Sequence, residues 1–108
     1  LDREPVIEFV VEDKDILEAL KRFGVTRLAI LNSDAVIYRY PEHADVTDLK
    51  ALVSSALAII GGTEPWLALK RDSRSIVIFK TSDRVFVIEG EINLADYDAV
   101  VMLSRLLL

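Results

Sequence analysis

A chain of 108 residues, 52% hydrophobic and 29% charged, is one globular domain with its own core, and its apolar runs fall short of the roughly 20 residues that cross a bilayer. A net charge of −5 opposes binding to nucleic-acid phosphates, and the lack of cysteine removes disulfides and thiolate chemistry, as in a cytoplasmic protein. The first residues are acidic, unlike a secretory signal, and Leu1 in place of Met is what a trimmed or partial chain would show.

Residues 1–12 are an N-terminal extension in which "PVIEFVVED", opened by Pro5 and rich in β-branched residues, favours an extended segment over a helix. Asp13 can cap a short helix with Ile16, Leu17, Leu20 and Phe23 on one face and Gly24 at its end. "VTRLAILN" and "VIYRYP" read as two strands joined by a tight turn at Ser33 and Asp34. Val36, Tyr38 and Tyr40 alternate with Ile37 and Arg39, the period of a half-buried strand, and Pro41 ends it for want of an N–H.

Asp45 reads as the N-cap of a second helix over residues 46–60, with Asp48 as its capping-box partner and Gly61 and Gly62 as its stop. "PWLALKR", "SIVIFKT" and "RVFVIEG" follow at hairpin spacing and form an antiparallel meander. Asn93 is expected to cap a last helix over residues 94–108, with Leu94, Tyr97, Val101 and Ser104 on one stripe and Val100, Leu103 and Leu107 beside it. The order α-β-β-α-β-β-β-α makes an α+β domain: a five-stranded antiparallel sheet with helices on its faces.

The sequence offers no catalytic, cofactor or metal constellation. His43 is the single histidine and sits in the polar turn "PEHAD", where a solvated side chain is the usual role. Asp34, Glu42, His43 and Asp45 lack the spacing of a calcium loop and the second histidine of a zinc site. The acids Glu12, Asp13 and Asp15 suit a helix N-terminus and need no cation. "IIGGTEP" leads from a helix into a strand, the reverse of a phosphate loop, so its glycines are a C-cap. Charge is uneven: residues 1–18 hold seven acids against Arg3 and Lys14, whereas Lys70, Arg71, Arg74, Lys80 and Arg84 cluster later. Such a basic region either steers an acidic partner or, more commonly, keeps strand edges from aggregating.

The helix at residues 46–60 carries two faces fit for burial. Val46, Leu49, Leu52, Val53, Ala56, Leu57 and Ile60 form the stripe for its own sheet. On the other side stand Ala51, Ser54, Ser55, Ala58 and the larger Ile59, where a lone surface helix would place charges. Small side chains let two helices approach closely about a twofold axis. Cover by another part of the same chain is the competing explanation. In the first meander strand, Trp66 and Ala68 alternate with Leu67 and Leu69 up to Lys70, so both faces are apolar at a sheet edge. Ala51, Ser54, Ser55, Ala58, Ile59, Trp66, Ala68 and Lys70 are therefore the expected dimer contacts.

The pattern resembles the roadblock (dynein light-chain roadblock) superfamily over residues 14–108. "FGVTRLAILNSDAVIYRY" is similar to that family's helix end and first hairpin, "DVTDLKALVSSALAIIGG" to its central helix, and "SIVIFKTSDRVFVIEGE" to its last hairpin. Asn32 and Ala35 depart from the Asp and Gly common in the family's first turn. The resemblance implies a roadblock/profilin-like sheet with strand order 2-1-5-4-3 and a homodimer in which third strands pair and central helices lie together. It also implies a non-catalytic scaffold or regulator of small Ras-like GTPases, needing no cofactor. The alternative is a small-molecule sensor of related α+β architecture, which would need a cavity between sheet and helix.

Overall fold

The computed structural model describes residues 11–60 and 66–107, with the side chains of Leu57, Ile59 and Ile60 left aside. Residues 1–10 of the expected N-terminal extension, the Gly61–Gly62 cap and the Ile59 contact lie outside what the structure describes. Helix α1 (Asp13–Arg22) is followed by strands β1 (Val25–Asn32) and β2 (Ala35–Tyr40), then helix α2 (Thr47–Ile60). The meander β3 (Leu67–Arg71), β4 (Arg74–Thr81) and β5 (Arg84–Gly90) leads to a short 3₁₀ turn and helix α3 (Tyr97–Ser104). The five strands form one antiparallel sheet in the order β2-β1-β5-β4-β3, as the resemblance implied.

The sheet separates two cores. Alternation along the strands sends Leu28, Ile30, Val77, Phe79, Phe86 and Ile88 to the face covered by α1 and α3. Ala29, Leu31, Ile78, Val85 and Val87 point the other way, under Val46 and, in α2, Leu49, Val53 and Ala56. Phe79 and Phe86 stack at 4.6 Å, and the Arg105 guanidinium lies 5.6 Å from the Phe79 ring. Ser75 and Tyr97 are the buried polar pair of this side, with hydroxyls 2.6 Å apart. Tyr97→Phe leaves Ser75 only a long bond, 3.4 Å, to the Ile92 carbonyl, and is expected to cost about 1–2 kcal/mol in urea unfolding.

Several local expectations are corrected. Helix α1 does not take Asp13 as its cap: Glu12 is the N-cap, and its N–H donates to the Asp15 carboxylate at 3.1 Å. Val36, Tyr38 and Tyr40 do not share one face. A bulge between the pairs Ile30–Tyr38 and Leu31–Val36 sends Val36 toward α2 and both tyrosines toward α1, leaving Ile37 outside. The last helix is shorter than expected. The Asp96 N–H donates to the Asn93 carbonyl, winding residues 94–96 as 3₁₀ with Leu94 exposed. Beyond Ser104 the chain tightens again, with Leu107 N–H donating to the Ser104 carbonyl, and this returns Leu107 to the core.

Candidate functional site

Helix α2 stands alone on its face of the sheet among the described residues, while α1 and α3 pack against each other on the opposite face. Of its expected stripe Val46, Leu49, Val53 and Ala56 are buried and Leu52 is half-buried, while the Leu57 and Ile60 side chains lie outside what the structure describes. Ala51, Ser54, Ser55 and Ala58 are all exposed, so no described part of the chain covers this second face. Open grooves flank the helix. One, of about 600 Å³, runs beside Asp48 and Leu52 to Leu69, Lys70, Arg71 and Arg74. The other, of about 360 Å³, lies between Lys50 and Ser54 and the β1–β2 turn. A helix that protrudes between two grooves presents a ridge rather than a pocket, which suits contact with another macromolecule better than capture of a small ligand.

At the sheet edge, β3 pairs only with β4 among the described strands. Lys70 is exposed and Ala68 half-buried. Trp66 is half-buried within its own chain: its ring meets Tyr97 edge-on at 5.6 Å, and its indole N–H donates to Asp98 at 3.2 Å. The basic residues do not form one patch. Lys70, Arg71 and Arg74 surround the β3–β4 turn, whereas Lys80 and Arg84 flank the β4–β5 turn at the other end of the sheet. His43 is exposed, and no group of three or more metal-ligating side chains forms among the described residues.

The foot of α2 is held by an ionic network that the sequence reading missed. The Asp45 carboxylate accepts from the Thr47 N–H two residues on at 3.0 Å, the bond of a capping side chain, and from the Thr47 hydroxyl at 2.6 Å. Asp48 is not part of a capping box. It faces Arg27 of β1, whose Nη1 and Nη2 donate to its two carboxylate oxygens at 2.8 Å each. Arg27 also donates from Nε and Nη2 to Glu89 of β5, at 2.7 and 2.9 Å, and from Nη1 to the Asp45 carbonyl at 2.9 Å. Every N–H of the guanidinium is thus used, and the two carboxylates push its pKa up. Glu89 is buried, and Arg74 approaches it at 3.9 Å. A charge inside each of the apolar strands "VTRLAIL" and "VFVIEG" was the available signal, since Arg27 and Glu89 are register partners.

The Arg27 hydrogen bonds hold the Asp48 carboxyl below the usual aspartate range, and the Thr47 hydroxyl and N–H do the same to Asp45. Both groups bind protons less readily folded than unfolded, so their stabilisation is complete above the unfolded pKa of about 4 and is lost as pH falls through the folded values. The Asp48 carboxylate is 63% exposed, so solvent screening keeps its share small. Asp48→Asn is expected to lower the urea midpoint at pH 7, and the gap to wild type should narrow as the pH drops through the acid range where Asp48 takes up its proton. A gap that stays constant across the range would break the link to Arg27.

Comparison with known proteins bears on the fold. No protein-family model and no curated protein matches the chain in sequence. Among solved structures, it is similar to a Roadblock/LC7 domain from Streptomyces avermitilis, at TM-score 0.64 and 18% identity, over 83% of this chain and 89% of that one. It is also similar to the gliding protein MglB from Thermus thermophilus, at TM-score 0.60 and 11% identity, over 82% and 79% of the two chains. A third similar structure is an MglB with a tetrameric arrangement, at TM-score 0.57 and 12% identity, over 85% and 87%. The chain has the Roadblock/LC7 fold.

Proposed function

We propose that this chain is a non-catalytic, cytoplasmic interaction module that pairs with a second copy of itself and scaffolds or regulates a small Ras-like GTPase. The observation that carries the reading is α2's outward face, where Ala51, Ser54, Ser55 and Ala58 lie exposed on a helix whose other side buries Leu49, Val53 and Ala56 against the sheet. Small residues on an uncovered helix permit close helix–helix approach, and the open edge of β3 beside it permits strand pairing. The Roadblock/LC7 fold supports the same reading, because the sequence resemblance ties it to GTPase regulation. Regulation would work by differential affinity for two GTPase conformations, with no chemistry supplied by the chain.

The reading is tested by retrieving partners from native lysate with the wild type and with Ala58→Glu. A small GTPase enriched on the wild type and lost on the variant is the expected result. Retrieval of no GTPase, or equal retrieval by both, would overturn it.

A further inference from the structure

The geometry points to Arg27 as the positioning residue of α2: its fork fixes how the helix sits on the sheet and therefore how the outward face is presented. The inference rests on the reading of that face as a partner surface. The apolar seam under α2 is built from Val46, Leu49, Val53 and Ala56. Apolar burial is non-directional, so such a seam resists lifting of the helix more than it resists small rotations or slides. On the other face α1 and α3 brace each other, but α2 has no neighbouring described helix.

Arg27 supplies the missing direction. Its planar fork grips both oxygens of Asp48 and the Asp45 carbonyl on the helix side, and both oxygens of Glu89 on the strand side. Two bidentate contacts made by one rigid group set distance and angle together, which a single point charge does not. Glu89 is 5% exposed, so the strand half of the clamp is anchored in the sheet. The Asp48 half is open to solvent, so the helix half is the one that can be released without stranding a buried charge.

The test compares Arg27→Lys and Asp48→Asn with Val101→Ala, a truncation in the core beneath α3. Arg27→Lys keeps the charge and loses the fork; Asp48→Asn keeps the buried Arg27–Glu89 pair intact should the first variant fold poorly. Two quantities are read: amide hydrogen exchange in α2 and β5, and the dissociation constant of self-association. Exchange at Lys50 to Val53 is expected to rise at least tenfold in Arg27→Lys and severalfold in Asp48→Asn while Val87 stays protected, and self-association is expected to weaken in the same order. Val101→Ala should lower global stability without either effect. Exchange in α2 that rises only in step with Val87, or the same loss of association in Val101→Ala, would overturn the inference. A wild type that does not self-associate would overturn the surface reading instead, and the exchange data would still decide the role of Arg27.

Discussion

Gly24→Ala is expected to cost about 3–5 kcal/mol, and Gly90→Ala about 2–3 kcal/mol. The two glycines meet where the chain leaves α1 and where β5 ends. The Gly24 carbonyl accepts from the Glu91 N–H at 3.1 Å, which brings two backbones into direct contact. A Cβ on Gly24 would stand 2.0 Å from the Glu91 carbonyl oxygen, and one on Gly90 would stand 2.1 Å from the Gly24 carbonyl oxygen. Backbone atoms cannot swing aside as a side-chain tip can. Gly24 also has φ +100°, a region that side chains with a Cβ rarely adopt, so its substitution adds strain to the clash. For a domain of this size each kcal/mol lowers Tm by roughly 4 °C or more, so Gly24→Ala should melt about 12 °C or more below the wild type. A Tm within about 4 °C of wild type would show that the two backbones part easily.

What the sequence revealed about this fold was local. The apolar, β-branched runs of β1, β4 and β5 and the two-residue turns act over a few residues, and those strands stand where the pattern put them, whereas the cap expected at Asp13 and the full length expected of the last helix do not. The pairing of β1 with β5 spans more than fifty residues, and no local pattern encodes it; it followed only from the family resemblance. The bulge in β2 was hidden for a related reason, because Val36, Tyr38 and Tyr40 alternate as an unbroken strand would. The candidate site divides in the same way. The second face of α2 was legible because helical spacing is local. The Arg27 clamp was not, since it joins β1, β5 and the first turn of α2 from three distant stretches. Asp48 had a plausible local use as a capping acid, and the tertiary use prevailed because two full-length bonds to a guanidinium exceed a single capping bond.

Ser55→Lys and Ala58→Glu are expected to convert a dimer into monomers at micromolar concentration. Both residues are exposed in the single chain, so neither substitution disturbs its core, and each should change folding stability by no more than about 0.5 kcal/mol. That separation of folding from association is what makes the pair informative. Between two α2 helices the same positions would be enclosed, and small side chains there allow axes to approach to about 8 Å. A twofold axis brings each new charge close to its own copy, so the repulsion and the desolvation cost both count. An unpaired charge in a desolvated contact costs about 2–5 kcal/mol, which weakens association by roughly thirtyfold or more. Sedimentation of the wild type should give a mass near twice the 12.1 kDa of one chain, and the variants a mass near one. Glu18→Lys, exposed on α1 across the sheet from α2, should leave the dimer intact and so separates a local effect from one of altered charge. A wild-type monomer, or variants that remain dimeric, would mean that the small-residue face of α2 has some other use than meeting itself.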